Sequence, residues 1–264
     1  MVVQRLLVSF LLTSTLHWIE VLGENKNDTH SPRVVGGNIV TNRELGGYIV
    51  AMRYDGSFAC GGTLVQDLIV LTAAHCFEQR RIKEKWLISG GVSMLNEIGV
   101  SRRIRKIIIP KAFSMDTMEM DVAVVLMDRP MVGNGIGKLS LCDKPLEVGR
   151  SLTVAGFGMV KSGGTNPGQY LRQTTVPIDS KEYCRKAYRK IIAITNSMLC
   201  ASEKGKRDAC TLDSGGPLVY KNQVCGIVSF GIGCASSRYP GVYTDVTYAK
   251  PFITKIINML MSQT

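Results

Sequence analysis

Histidine is scarce in this chain, and several other features are missing with it. The 264 residues include three histidines, and no two of the eight cysteines have the Cys-x-x-Cys spacing of a zinc site. Beyond the N-terminal segment, no apolar run is long enough to span a bilayer, and no repeat of roughly 20–50 residues is visible. These absences argue against a zinc protein, a membrane protein and a repeat protein.

The first 33 residues differ in composition from the rest of the chain. Arg5 precedes an apolar run from Leu6 to Leu12, and Val21-Leu22-Gly23 ends on a small residue, as a signal-peptide cleavage site does. The run is shorter than the roughly 18 residues of a transmembrane anchor, the alternative for such a segment. We therefore expect residues 1–23 to be a signal peptide, residues 24–33 to be an exposed polar peptide, and the mature protein to be secreted and to lack a membrane span.

The number of cysteines and the net charge are properties of the expected mature protein, not of its N-terminal segment. Eight cysteines, an even number, indicate a disulfide framework formed in an oxidising compartment. Lys and Arg number 32 against 21 Asp and Glu, a net charge of +11, and the first 33 residues are themselves balanced. The basic residues form two clusters, Arg102, Arg103, Arg105 and Lys106 in one and Arg185, Lys186, Arg189 and Lys190 in the other. Such clusters either bind polyanions, for example sulfated glycans or nucleic acid, or are solvated faces.

After Arg33 the sequence alternates between short apolar runs and turns that contain glycine. The runs are rich in β-branched residues, and examples are Thr63–Thr72, Val122–Met127, Ser151–Ala155 and Val224–Phe230. Many short strands separated by turns predict a sandwich or a barrel. Helical spacing is clearest from Phe252 to Met261. We expect an all-β fold, better suited to two modest barrels than to one, that ends in an α-helix.

One histidine remains once the N-terminal segments are set aside. His17 and His30 lie in those segments, and His75 follows an apolar, strand-like run beside Cys76. A lone histidine is most often structural, but an imidazole can also take a proton from a hydroxyl near neutral pH. His75 by itself leaves both interpretations open.

Ser214 lies among turn-forming residues, in Asp213-Ser214-Gly215-Gly216-Pro217. Glycines beside a serine leave its hydroxyl unshielded and let a substrate approach the backbone. No glycine stands two residues before the serine and no histidine follows it, so the nucleophile elbow and the Ser…Asp…His order of α/β-hydrolases are excluded. The triad orders Asp…His…Ser and His…Asp…Ser remain.

Together, the segments around His75 and Ser214 resemble the two signature motifs of the trypsin/chymotrypsin family. Thr72-Ala73-Ala74-His75-Cys76 precedes Asp213–Pro217, in the family's order, and the likeness runs from Val34 to the C-terminal helix. The resemblance implies two packed six-stranded antiparallel β-barrels with a C-terminal α-helix over residues 34–264. It also implies a serine endopeptidase that needs no metal and no cofactor.

The resemblance assigns three catalytic roles. Ser214 is the expected nucleophile, and His75 is the expected general base. The acids between them that could orient the histidine are Asp116, Asp121 and Asp128. Asp121 alone directly heads an apolar strand, so it is the expected partner of His75, and Ser229 matches the family serine that supports this aspartate.

Arg33-Val34-Val35-Gly36-Gly37 resembles the activation site of the family. Cleavage after Arg33 by another trypsin-like protease would free the amino group of Val34 to pair with Asp213. The resemblance therefore implies a zymogen whose propeptide is residues 24–33.

Three residues match the specificity pocket of the family. Asp208 matches the residue at its base, and Gly231 and Gly241 match the glycines of its wall. A buried carboxylate there selects Arg or Lys before the scissile bond, so protein substrates with those residues, and protein inhibitors, are the expected partners.

Three disulfides are implied by the resemblance, namely Cys60–Cys76, Cys184–Cys200 and Cys210–Cys234. Elimination leaves Cys142–Cys225, unless both are free or Cys142 bridges to another chain. The segment 90–101 contains a single carboxylate, Glu97, so a calcium loop of the trypsin type is not expected.

Leu212 departs from the family pattern, which has glycine at this position. Its backbone N–H and that of Ser214 are the expected oxyanion hole; leucine keeps the N–H but adds a side chain that can strain the loop. Phe157 and Phe230 stand where tryptophan is frequent and keep an aromatic wall. The alternative function is a catalytically weak homologue acting as a secreted binding or regulatory module, which the complete triad argues against and Leu212 favours.

We expect an active enzyme whose substrate or inhibitor discrimination is altered by Leu212. The variant Leu212→Gly should change the ratios of kcat/KM among peptide substrates, because it alters the position of one oxyanion donor. Complete loss of such a donor lowers the rate by about 10²–10³, and we expect a smaller change when the donor is only displaced. Steady-state kinetics and inhibition constants measure the change. Unchanged kinetics and unchanged inhibitor binding would contradict this interpretation.

Overall fold

The fold is seen in a computed structural model that describes residues 37–158, 168–203, 213–233 and 236–263. The predicted signal peptide and the site of cleavage after Arg33 lie outside these residues. The strands are β1 (Asn38–Ile39), β2 (Ile49–Tyr54), β3 (Ser57–Gln66), β4 (Ile69–Thr72), β5 (Trp86–Gly90), β6 (Val100–Ile108), β7 (Ala123–Met127), β8 (Ser140–Leu141), β9 (Ser151–Gly156), β10 (Arg172–Pro177), β11 (Met198–Ala201), β12 (Pro217–Tyr220), β13 (Gln223–Phe230) and β14 (Gly241–Asp245). The α-helices are α1 (Asn42–Leu45), α2 (Lys181–Tyr188) and α3 (Val246–Met261), and 3₁₀ turns span Ala74–Phe77 and Lys83–Lys85.

The first six-stranded barrel is closed and antiparallel, in the order β2-β3-β4-β7-β6-β5. Its β4 and β7 are buried along their whole length, which explains why their sequences are continuous apolar runs without alternation. The run Thr63–Thr72 is not one strand, because the chain turns at Asp67-Leu68 between β3 and β4. The pairing of Thr72 with Ala123 brings the end of β4 beside the start of β7.

The second barrel contains the strand path β10-β9-β12-β13-β14-β11, extended by β1 beside β10 and by β8 beside β13. An antiparallel bridge between Ile178 and Ala201 joins the two ends of the six-strand path. Two backbone hydrogen bonds flank it, from Asp179 N to the Cys200 carbonyl (2.8 Å) and from Ser202 N to the Pro177 carbonyl (3.2 Å). The prediction of two six-stranded barrels is therefore confirmed, with β1 and β8 as additions.

The C-terminal helix α3 begins earlier than its sequence pattern indicates. Asp245 caps it by accepting hydrogen bonds from the backbone N–H groups of Thr247 and Tyr248. Its buried face consists of Val246, Ala249, Ile253, Ile256, Ile257 and Leu260. Met261, expected on that face, is 39% exposed. Each fully buried aliphatic side chain contributes about 1.5–3 kcal/mol, so this face secures the helix to the barrel core.

Disulfides join Cys60 to Cys76, Cys142 to Cys225 and Cys184 to Cys200. Cys142 is thus neither free nor paired with another chain, and its bond closes a loop with a sequence separation of 83. The proposed Cys210–Cys234 pair lies outside the described residues. In the part of the chain that the structure describes, no helix is long and apolar enough to cross a membrane.

Candidate active site

Asp121 is a fully buried residue that lies two positions before β7. Its Oδ1 accepts a hydrogen bond from the backbone N–H of His75 (2.9 Å), and its Oδ2 accepts one from Ser229 Oγ (2.6 Å). The hydroxyl of Thr244 donates to the carbonyl oxygen of Asp121 (2.6 Å). A buried charge is costly unless hydrogen bonds replace its hydration, and the donors from His75 and Ser229 supply that replacement, whereas Thr244 holds the backbone of Asp121.

His75 lies in the 3₁₀ turn that follows β4, with its side chain 18% exposed. Nδ1 of the ring is 2.7 Å from Asp121 Oδ2. Because an ionised carboxylate only accepts, Nδ1 is the donor, and in a neutral ring Nε2 is then an acceptor. The Cys60–Cys76 disulfide anchors the residue next to His75 to β3. This arrangement can hold an imidazole in one tautomer and one orientation.

The loop that contains Ser214 is held between the two barrels by backbone hydrogen bonds. The carbonyl of Ser214 accepts from Gly61 N in β3 (2.9 Å), and Gly215 N donates to the Val228 carbonyl in β13 (2.8 Å). Gly215 has a φ of +81°, and a β-carbon there would collide with Thr72 Oγ1 and the Gly61 carbonyl. The loop therefore packs directly against the strand end that leads to His75.

Asp213 is 2% exposed, and its Oδ1 accepts a hydrogen bond from Gly158 N (2.7 Å). The carboxylate lies so close to Gly156 and Gly158 that neither position has room for a β-carbon. Val34, its expected partner, lies outside the described residues.

The two glycines of the expected pocket wall come together at the ends of β13 and β14. A β-carbon on Gly231 would lie 3.9 Å from the Cα of Gly241. Phe230, beside Gly231, makes an edge-on contact with Tyr188, with ring centroids 5.7 Å apart. Asp208 and Leu212 lie outside the described residues, so the structure describes the wall of the expected pocket and not its base.

Cys60, His75 and Cys76 place their potential ligand atoms within 4.8 Å of one another. The two sulfur atoms are joined in a disulfide, so they are not thiolate ligands for a metal.

The Glu97 carboxylate accepts hydrogen bonds from Ser93 N (2.6 Å) and Met94 N (3.3 Å). These hydrogen bonds stabilise the turn that runs from Ser93 to Glu97.

Two supports of the candidate site were not predicted from the sequence. Thr244 is 123 positions from Asp121 along the chain, and a threonine in a strand carries no signal of such a contact. Gly61 lies in β3, where a glycine indicates either a bulge or a close approach of another backbone. The close approach of another backbone is what the structure has, because the Ser214 carbonyl lies against Gly61 N, and the glycine was the one signal of it in the sequence.

Comparison with known proteins decides the family, because the family model described as Trypsin matches residues 34–253. The chain belongs to the trypsin family of serine proteases. It is 53% identical to Seminase of Drosophila melanogaster, over 98% of this chain and 99% of that protein. It is 37% identical to the vitellin-degrading protease of Bombyx mori, over 86% and 87% of the two chains. The structure of neuropsin, a serine protease expressed in the limbic system of mouse brain, superposes with a TM-score of 0.75 at 27% identity, covering 84% of this chain and 98% of that one.

The packing of the Ser214 loop predicts that Gly215→Ala abolishes most activity. The added methyl group would push the loop away from Thr72 and Gly61, so we expect kcat/KM to fall at least about 100-fold, as a displacement near 1 Å does. Gly149→Ala is the matched control, because Gly149 also has a φ of +81° but has no heavy atom within 4 Å of an added β-carbon. Activity assays and denaturant unfolding of both variants separate the two effects. Equal loss of activity in both would contradict this description of the loop.

Proposed function

We propose that this member of the trypsin family is a secreted serine endopeptidase, made as a zymogen, activated by cleavage after Arg33, and specific for peptide bonds that follow Arg or Lys. The observation that carries the proposal is the buried Asp121 carboxylate, which accepts a hydrogen bond from His75 Nδ1 at 2.7 Å. A carboxylate in that position is what a histidine needs to act as a general base towards a serine.

In the proposed mechanism Ser214 Oγ attacks the carbonyl carbon of the scissile bond. His75 Nε2 takes the hydroxyl proton and then gives it to the leaving amine, which departs and leaves an acyl-enzyme. Asp121 keeps Nδ1 protonated and stabilises the imidazolium without taking the proton itself. Backbone N–H groups of Leu212 and Ser214 stabilise the oxyanion. A water molecule then attacks the acyl carbon, and His75 takes a proton from the water and gives it to Ser214 Oγ, which leaves as the carboxylic acid product is released.

The proposed activation uses the buried carboxylate of Asp213. Cleavage after Arg33 creates an ammonium group on Val34, and pairing of this cation with Asp213 would order the neighbouring Ser214 loop. The burial of Asp213 against Gly156 and Gly158 supports this role, because a dehydrated carboxylate gains most from an opposite charge.

The proposed specificity depends on Asp208 at the base of a pocket whose wall includes Gly231 and Gly241. Glycines leave room for a long side chain, and a carboxylate at the end of the pocket would pair with guanidinium or ammonium groups. Secretion is supported by the disulfides among the described residues, since such bonds persist in oxidising compartments.

One assay tests activation and specificity together. The purified zymogen is cleaved after Arg33, and kcat/KM is measured for matched peptide substrates with Arg, Lys or Phe before the scissile bond. We expect turnover of the Arg and Lys substrates only after cleavage, and a loss of at least about 100-fold for them in Asp208→Ser, because removal of one partner of a buried ion pair costs about 3–5 kcal/mol.

Ser214→Ala controls for contaminating proteases, and Arg33→Gln controls for activation at other sites. Preference for Phe by the cleaved enzyme would contradict the role of Asp208. Absence of turnover by the cleaved wild-type protein would contradict the proposal and favour a binding or regulatory homologue.

A further inference from the structure

Helix α2 borders a surface cleft whose rim is basic. The cleft has a volume of about 580 Å³. Its cationic and aromatic lining consists of Lys186, Arg189, Lys190, Arg238, Tyr183 and Tyr239. We call this surface the α2 basic cleft. None of its residues belongs to the proposed catalytic machinery or to the proposed specificity pocket.

The backbone on both sides of the α2 basic cleft is fixed. Cys184 and Tyr188, one turn apart, bury one face of α2, and the disulfide to Cys200 ties that face to β11. The opposite wall is the segment that leads into β14, where the Pro240 carbonyl accepts from Tyr188 Oη (2.7 Å) and the Arg238 carbonyl accepts from Tyr183 Oη (3.3 Å). The cations are therefore presented by a rigid frame.

The cations of the α2 basic cleft form no close ion pairs with described carboxylates, although Glu182 lies in the first turn of the same helix. Within the described ranges, no carboxylate oxygen lies within 4.0 Å of a side-chain nitrogen of Lys186, Arg189, Lys190 or Arg238. The Arg238 guanidinium lies over the ring of Tyr239, 5.1 Å from its centroid. Like charges held together on one surface create a strong positive potential that attracts anions.

A second cleft continues the basic surface past the end of the helix. It shares Arg189 and Lys190 with the α2 basic cleft and adds Arg185. The Arg185 guanidinium is held by the Ile194 carbonyl and Asn196 Oδ1, each at 3.1 Å. The positive surface is thus longer than a single small anion, which favours a polymeric ligand.

We propose that the α2 basic cleft is a binding site for a sulfated polysaccharide. Sulfate groups match lysine and arginine donors by charge, and the repeated sulfates of one chain match the row of cations that the two clefts share. The choice of a polysaccharide over a nucleic acid rests on the proposed secretion, because sulfated glycans are extracellular polyanions. Binding needs no catalysis, so the site would attach the protease, active or not, to a glycan-rich matrix.

The basic cluster of β6 offers a matched comparison. Arg103, Arg105 and Lys106 are also exposed, but they lie on a strand of the closed first barrel and line neither of the two clefts. Asp128, which accepts a hydrogen bond from the backbone of Arg103 and pairs with Arg129, brings a carboxylate to this region. We expect this cluster to contribute only through its net charge.

The test uses the full-length protein with Ser214→Ala, which prevents self-cleavage, and a fluorescent heparin octasaccharide as the probe. Anisotropy titrations at several NaCl concentrations compare Lys186→Gln/Arg189→Gln/Lys190→Gln with Arg103→Gln/Arg105→Gln/Lys106→Gln, which loses the same charge. We expect the first triple variant to lose at least about tenfold in affinity near 150 mM salt and its salt slope to fall by about 2 to 3, and the second to change less than about threefold. Equal losses in the two would overturn the proposal.

A second variant and a second probe make the outcome independent of any folding defect in the triple variant. Arg238→Gln lies on the opposite wall and should weaken octasaccharide binding by about threefold; an unchanged affinity there would count against the cleft. A DNA oligonucleotide of the same charge should bind at least about tenfold more weakly, and equal or tighter DNA binding would overturn the assignment to a polysaccharide.

In the background with Ser214 intact, the cleft variants should keep the wild-type kcat/KM. Failure of the proposed protease activity would appear as absent turnover with octasaccharide binding retained. Failure of the cleft proposal would appear as normal turnover with octasaccharide binding unaffected by the cleft variants.

Discussion

The carboxylate of Asp121 is buried, and groups from two separate segments replace its hydration while a third segment holds the backbone carbonyl of the same residue. The turn after β4 supplies the backbone N–H and the imidazole of His75, β13 supplies Ser229, and β14 supplies the hydroxyl that binds the Asp121 carbonyl. An uncompensated buried charge costs several kcal/mol, so these segments are stable only in the arrangement that satisfies it. The same requirement that keeps the fold intact fixes the orientation of the histidine.

This hydrogen-bond network also joins the two barrels. His75 follows a strand of the first barrel, whereas Ser229 and Thr244 belong to strands of the second. The Ser214 loop is a second link between the two barrels, because it makes one backbone hydrogen bond to β3 and one to β13. A displacement of one barrel relative to the other would therefore break hydrogen bonds to the Ser214 loop and to Asp121 at the same time.

The sequence predicted the parts of this arrangement that depend on local pattern. Short apolar runs predicted the strands, and the position of Asp121 at the head of such a run distinguished it from Asp116 and Asp128. The sequence did not predict Thr244 as a support, the division of Thr63–Thr72 into β3 and β4, or the bridge between Ile178 and Ala201. The Thr244 contact and the bridge depend on groups brought together from distant positions of the chain. The division into β3 and β4 depends on a turn that contains neither glycine nor proline. Such features carry no periodic signal.

The basic clusters are a further case in which the sequence reveals the residues but not their surroundings in the fold. Two basic clusters are equally evident in the sequence, but one lies on exposed positions of strand β6 and the other borders a cleft whose walls are held by Tyr183 and Tyr188. Net charge alone would treat the two clusters alike. Their surroundings, which only the fold supplies, separate a solvated face from a candidate binding surface.

The central claim is that Asp121 controls the histidine, and the kinetics of Asp121→Asn after cleavage at Arg33 test it most directly. An amide at this position can donate to the ring and so favour the wrong tautomer, and we expect kcat to fall by about 10⁴ with the fold retained. The exposed carboxylates Asp116 and Asp128, changed to Asn in the same way, should leave kcat within about twofold. A kcat for Asp121→Asn within tenfold of the wild-type value, or an equal loss in either control, would contradict the account.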